Sequence, residues 1–199
     1  MAEHSRYNVS DEDAGIENGV LKNKLGLMDQ QSLEDAETLL LVDAYEHFFD
    51  LLQQENVVFN TALLFSMHEY FLGPLYDWAG ELRRVDISND GMMFAPVEHL
   101  QTSVTDFGQT LGASLPTQSD SVKEAAKKIA IIHNEFNAVH PFREGNGRTI
   151  RLFLDLLIAS LGLPEVNWDE PDYLSACIDG MSRKHEAMIG LILRRIKTN

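Results

Sequence analysis

From residue 32 onward the apolar positions recur mainly at spacings of three and four, the period of helices with one buried face. The stretch "SLEDAETLLLVDAYEHFFDLL" predicts a helix over 32–54, and Asn60 caps a second one, "NTALLFSMHEYFLG", that Gly73 and Pro74 stop. Helical spacing returns from 97 to about 115, and "PTQSD" reads as a loop. In "SVKE", Ser121 and Glu124 form a capping box that starts the next helix. Ile129, Ile132, Phe136 and Val139 carry its buried stripe up to His140. Pro141 disfavours the α conformation of the residue before it, so this helix is expected to end at His140. Beyond a short loop, "RTIRLFLDLLIASLG" is apolar on most sides and predicts a helix at the centre of the fold, starting near Gly147 or Arg148 and stopped by Gly162 and Pro164. A last amphipathic helix is expected over about 173–195, its basic end suited to the C-terminal dipole.

Two stretches break this rhythm. Residues 1–30, with "SDEDAGIENG", are acidic and poor in apolar positions, and read as an irregular, solvated segment. In "YDWAGELRRVDISNDGMMFAP", Val85, Ile87, Met93 and Phe94 flank "SNDG" in the pattern of a hairpin over about 85–96, the one strand prediction. There is no internal repeat or low-complexity tract, and 199 residues suit one core. The expectation is a single all-α domain over 1–199 with one short β-hairpin.

Composition narrows the function. No window reaches the length of a membrane span, and the first residues lack the basic and apolar regions of a leader, so a cytoplasmic protein without membrane contact is expected. Cys177 is the only cysteine, so no internal disulfide can form, and a packed, inert thiol on a helix face is expected. Thirty-one acidic residues against sixteen basic ones, a formal net charge of −15, argue against nucleic acid or anionic lipid as a partner. Any anion must bind at a local site.

The segment "HPFREGNGRTIR", residues 140–151, concentrates what such a site needs. A helix beginning near Gly147 presents backbone amides and a partial positive charge, and the glycines before it let an anion approach the backbone. Arg148 and Arg151, three residues apart, are expected to project from one face of the first turn toward the same anion, a spacing that suits a chain of phosphates. The segment lacks the glycine and lysine spacing of a P-loop and the third glycine and preceding strand of a dinucleotide fingerprint. His140 has the intrinsic pKa of a general base. Glu144 supplies one oxygen ligand of the kind Mg²⁺ uses beside phosphate and water. His133 and Asn137, on the same helix, are expected in supporting or core roles rather than as metal ligands. Arg143 is expected to be solvated or salt-bridged, and Trp78 and Trp168 to pack the domain.

These residues resemble the HPFx[DE]GNGRxxR signature of Fic-domain proteins at every defined position. The likeness extends to "LYDWAGELRRVDIS" and, more loosely, to "VLKNKLGLMD". The resemblance implies transfer of AMP from ATP, with Mg²⁺, to a Tyr, Thr or Ser hydroxyl of a target protein. It implies His140 as the base, Glu144 as metal ligand, Gly145, Asn146 and Gly147 as the anion hole, and Arg148 and Arg151 on the outer phosphates. The hairpin would be a flap that pairs with an extended segment of the target. Its tip, Asn89, Asp90, Gly91 and Met92, departs from the lysine and two glycines of many relatives, which touches target docking more than chemistry. Tyr173 matches a position near the adenine.

The alternatives are a phosphotransferase of the same fold, disfavoured by Gly147 in "GNGR", and a non-enzymatic binding module, which has no need of base, ligand and anion hole together. Many Fic proteins are held off by a helix bearing [ST]-x-x-x-E-[GN], whose glutamate meets the second motif arginine, here Arg151. The nearest match, "SRKHEA" at 182–187, ends in alanine, falls within the predicted last helix and leaves too few residues for a further inhibitory helix. The expectation is therefore inhibition in trans by a small antitoxin-like protein.

Overall fold

A computed structural model describes residues 8–9, 15–17, 19–54, 57–89 and 92–196. Among them are seven α-helices: α1 (Gln30–Gln54), α2 (Thr61–Leu72), α3 (Leu100–Ser114), α4 (Val122–Val139), α5 (Asn146–Ser160), α6 (Tyr173–Met181) and α7 (Glu186–Ile196). The caps read from the sequence are in place. Asn60 accepts a bond from the Leu63 amide at 3.0 Å, and Ser121 from the Glu124 amide at 3.2 Å. The pair α4 and α5 forms the centre. Helices α1 and α2 pack on α5, and α3, α6 and α7 pack on α4. The apolarity of α5 on most sides follows from this position: Ile150, Leu152, Phe153, Leu154 and Leu156 are fully buried.

The flap is present as β4 (Ile87–Asn89) paired antiparallel with β5 (Met92–Met93), Ser88 opposite Met93. Asp90 and Gly91 of its tip lie outside the described residues.

Three strands were not expected. β1 (Asn8–Val9) pairs antiparallel with β4, and β2 (Ile16–Glu17) with β3 (Val20–Leu21). The reading of 1–30 as irregular is corrected accordingly: Val20 and Leu21 join the core, and Gly19, with φ of 80°, takes the left-handed turn conformation that closes such a hairpin. The last helix is also corrected. It is two helices, with Arg183 at φ of 58° in the turn between them, so the amphipathic pattern continued across a break that periodicity alone could not reveal.

Candidate functional site

Helix α4 ends at Val139, two residues before Pro141, and His140 between them is its C-cap, in the left-handed conformation (φ 49°, ψ 62°). A non-glycine residue held there costs about 1–2 kcal/mol, so its surroundings must enforce it. They do so by satisfying the carbonyls that a helix end leaves open. The His140 amide donates to Phe136 O at 2.8 Å, and the Ala95 amide donates to Ala138 O at 3.1 Å. His140 Nδ1–H donates to Asn137 O at 3.1 Å, and Arg83 Nε–H donates to His140 O at 2.8 Å. The bond from Nδ1 assigns the neutral tautomer and leaves the basic lone pair on Nε2. Phe94, next after β5, stacks on the imidazole with centroids 3.8 Å apart. Burial, with the Arg83 charge adding to it and the Asn137 bond opposing it, pushes the His140 pKa down to about 3. The ring is neutral at physiological pH, as a general base must be.

The loop between α4 and α5 is closed by its own side chains. Asn146 bridges the turn twice, its Nδ2 donating to Phe142 O at 2.8 Å and its Oδ1 accepting from the Phe142 amide at 2.9 Å. Its side chain is thus structural, and only its backbone can serve an anion. Thr149 caps Gly145 O through both its amide and its hydroxyl, each at 2.9 Å. His68, on α2, accepts from the Gly80 amide at 2.8 Å through Nδ1 and so donates from Nε2 to Glu144 O at 2.9 Å. Phe142 stacks on this ring at 3.7 Å. Gly145, at φ of 80°, has no room for a side chain: a Cβ would lie 2.6 Å from Leu72 Cδ1. At Gly147 a Cβ would meet Arg151 Nη1 at 3.3 Å. The amides of Asn146, Gly147 and Arg148 precede the first intrahelical bond of α5, so the loop presents them as an N-terminal anion site.

The two arginines do not converge on one point. Arg148 Nη1 is 2.7 Å from Glu37 Oε2, Nη2 is 3.3 Å from Glu144 Oε1, and the guanidinium lies over the Phe71 ring. Arg151 instead lies against Tyr173, its Nη1 donating to the hydroxyl at 3.4 Å and its guanidinium 5.6 Å from the ring centroid. Among the described residues no carboxylate is within 4.0 Å of Arg151. Tyr173 OH also bonds His133 Nε2 at 2.9 Å, and burial pushes its pKa up. His133, whose pKa burial lowers to about 4, has the supporting role expected of it.

Glu144 Oε1 accepts from the Gly145 amide at 2.8 Å as well as from Arg148, which aims the carboxylate at the α5 N-terminus. One hard oxygen donor beside a phosphate cradle fits Mg²⁺, which is commonly held by one or two carboxylates with substrate phosphates completing the shell. No cluster of three or more potential ligands exists among the described residues.

Several residues that the sequence did not single out prove central. Glu37 is 3% exposed on α1, where it accepts from Tyr76 OH at 2.8 Å and pairs with Arg148. Its signal was an acid on the apolar stripe of Leu33, Ala44 and Phe48. Arg83, His68 and Phe94 gave no comparable signal. Of the two settings expected for Arg143, the solvated one is excluded: it is 7% exposed, and with Trp78, Arg83 and Arg84 it lines a cavity of about 420 Å³. Cys177 is as expected, burial raising its thiol to about 11.

Comparison with known proteins adds to the geometry. Residues 58–158 match the Fic/DOC family. Protein adenylyltransferase VbhT of Bartonella schoenbuchensis is 31% identical over 184 residues, covering 90% of this chain but 38% of that protein. The probable protein adenylyltransferase y4lH of Sinorhizobium fredii is 30% identical over 169 residues, 82% of this chain and 84% of its own length. Among solved structures, the N-terminal FIC domain of Bep8 from Bartonella sp. 1-1C has the same fold, with a TM-score of 0.77 at 22% identity over 90% of this chain and 92% of that one. BepC of Bartonella tribocorum, solved with bound AMPPNP, gives 0.73 at 23% identity, covering 88% of this chain and 91% of that one.

Proposed function

Because the chain belongs to the Fic/DOC family, we propose that it is a protein adenylyltransferase, moving AMP from ATP to a Tyr, Thr or Ser hydroxyl of a target protein with release of pyrophosphate. The observation that carries this reading is the juxtaposition, within one helix–loop–helix, of a neutral imidazole and a helix N-terminus built for phosphate. His140 Nε2 takes the proton of the acceptor hydroxyl, and its oxygen attacks the α-phosphorus in line with the departing pyrophosphate. The amides of Asn146, Gly147 and Arg148 receive phosphate oxygens, while the Gly145 amide, bonded to Glu144 Oε1, leaves Gly145 to shape the turn rather than to donate. Arg151 carries the larger uncompensated positive charge for the outer phosphates, while Arg148 shares its charge with Glu37 and Glu144 and contributes its remaining donors. Glu144 would hold Mg²⁺, whose chemistry there is neutralisation of phosphate charge. Tyr173 borders the nucleotide at the Arg151 side.

Target docking falls to the flap. One edge of β4 is covered by β1 and the other by β5, so the outer strands of this sheet among the described residues are β1 and β5, and of the two only β5 belongs to the flap. A target segment added beside Met92–Met93 runs toward Phe94, whose ring lies on His140. Asn89, Asp90 and Gly91 would then tune which segment is accepted. Regulation is read as inhibition in trans by a small antitoxin-like protein carrying an acidic residue for Arg151, with action in the cytoplasm. In support, Glu186 is exposed in the first turn of α7, and Arg151 contacts Tyr173 instead.

The test is incubation of the purified chain with cell lysate, Mg²⁺ and ATP labelled at either the α or the γ phosphorus. Protein labelling from α alone is expected; labelling from γ would assign phosphoryl transfer instead.

A further inference from the structure

Arg83 lies outside the motif, yet its side chain is fully buried and reaches three segments at once. Its Nε–H donates to His140 O at 2.8 Å, and Nη2 lies 3.5 Å from Val139 O, both at the end of α4. Nη1 donates to Val85 O at 2.9 Å where the chain enters the flap, and Nη2 also donates to Ala95 O where it leaves. The Arg83 amide adds a bond to Pro141 O at 2.9 Å. Asp86 sits 3.7 Å from Nη1 and accepts from the Val97 amide at 2.8 Å, which ties the two flap roots to each other.

A guanidinium suits this place for two reasons. Its planar fork offers five donors in fixed directions, which a lysine cannot reproduce, and its charge faces the negative end of the α4 dipole. Two of the carbonyls it binds, those of Val139 and His140, lie at the end of α4, where no intrahelical amide can reach them. With Phe94 stacked on the imidazole, both the backbone and the ring of His140 are joined to the flap.

We infer that Arg83 is a positioning residue: its guanidinium fixes the two flap roots and the His140 backbone as one body, so that a strand docked on the flap presents its hydroxyl to Nε2. This rests on the reading of His140 as the base and of the flap as the docking edge. Arg83 itself touches neither nucleotide nor acceptor.

The experiment uses the full chain as wild type, Arg83→Lys and Arg83→Gln, with helicity checked by circular dichroism. Long-range ¹⁵N–¹H spectra read the His140 tautomer, assigned with His140→Ala. Hydrogen exchange reads the β4 and β5 amides, calorimetry reads MgATP binding, and [α-³²P]ATP labelling of lysate proteins reads transfer. In the wild type we expect a single Nδ1–H tautomer and a slowly exchanging Arg83 Nε–H. A His140 ring in the Nε2–H form, or a fast-exchanging Nε–H, overturns the inference without any variant. In the variants we expect mixed tautomers, flap exchange about tenfold faster, MgATP affinity within about twofold and labelling down roughly 100-fold, the loss that about 1 Å of misplacement causes. Folded variants that keep the wild-type tautomer, exchange and labelling overturn it. A wild type that labels nothing from α-labelled ATP sinks the transferase reading instead, and the tautomer and exchange results then decide the Arg83 link alone.

Discussion

Arg148 and Arg151 leave the same helix one turn apart with the same charge, and they meet opposite surroundings. The Arg148 side is a closed ionic cluster: Glu37 from α1, Glu144 from the loop, and Tyr76 hydrogen-bonded to Glu37. The Arg151 side is aromatic and hydroxylic, with Tyr173 on the guanidinium and Tyr45 and Cys177 nearby. Two positions that the motif treats alike therefore differ in what removal of each would expose. Losing Arg148 strands two buried carboxylates. Losing Arg151 takes away a cation with no carboxylate within 4.0 Å among the described residues, Asp155 feeling its charge from farther off.

The largest expected effect leaves both sides intact. His140→Ala should lower transfer by about 10²–10⁴-fold or more while calorimetry finds MgATP binding nearly unchanged, because a base contributes little to holding phosphate. Near-wild-type labelling by that variant would remove His140 from the chemistry. The next pair separates the arginines. Arg151→Ala should weaken ATP binding by roughly 10–100-fold, the worth of charge-assisted bonds to phosphate, with the melting temperature almost unchanged. Arg148→Ala should keep its helical circular dichroism but lose about 3–5 kcal/mol of stability, since Glu37 and Glu144 remain buried without their cation. Chemical denaturation reads this, and equal destabilisation by the two variants would erase the difference between the sides.

Stability should also depend on pH in a defined direction. Burial holds His68 and His133 near pKa 4 and His140 near 3, against 6.5 when unfolded, so the unfolded chain binds more protons as pH falls below about 6.5. Their contribution is complete above that pH and is lost as pH falls through the folded values, near 4 for His68 and His133 and near 3 for His140. The slope is at most about 1.4 kcal/mol per histidine for each pH unit. Melting temperatures that stay flat from pH 7 to 4.5 would contradict the burial of these rings as neutral groups. The smallest effect belongs to Glu186→Gly, expected to change labelling less than about twofold, because Glu186 is exposed and Arg151 is held by Tyr173. Strong activation would mean that the inhibitor is built into this chain.

Helices, caps, the flap and the motif were readable because each is encoded within a few residues of itself. The Ser121 cap, the α4 stripe and the α5 core face needed only local spacing. What escaped has partners far along the chain. Glu37 meets Arg148 across 111 positions, and Arg83 meets His140 across 57, and no periodicity announces either. Glu37 left one trace, an acid on an apolar face. The β2–β3 hairpin left another, the Gly19 turn between short apolar pairs, outweighed by the acidity around it. The different resting partners of Arg148 and Arg151 escaped for the same reason: spacing sets the direction in which a side chain leaves the helix, and distant groups set where it rests.

The most direct measurement is peptide mass spectrometry of lysate proteins after incubation with ATP, Mg²⁺ and either the wild-type chain or His140→Ala. An adenylyl group on Tyr, Thr or Ser side chains in the wild-type sample, absent with His140→Ala, is the expected result. A phosphoryl group in its place, or the same adenylylated peptides with both proteins, would contradict base-catalysed AMP transfer at this site.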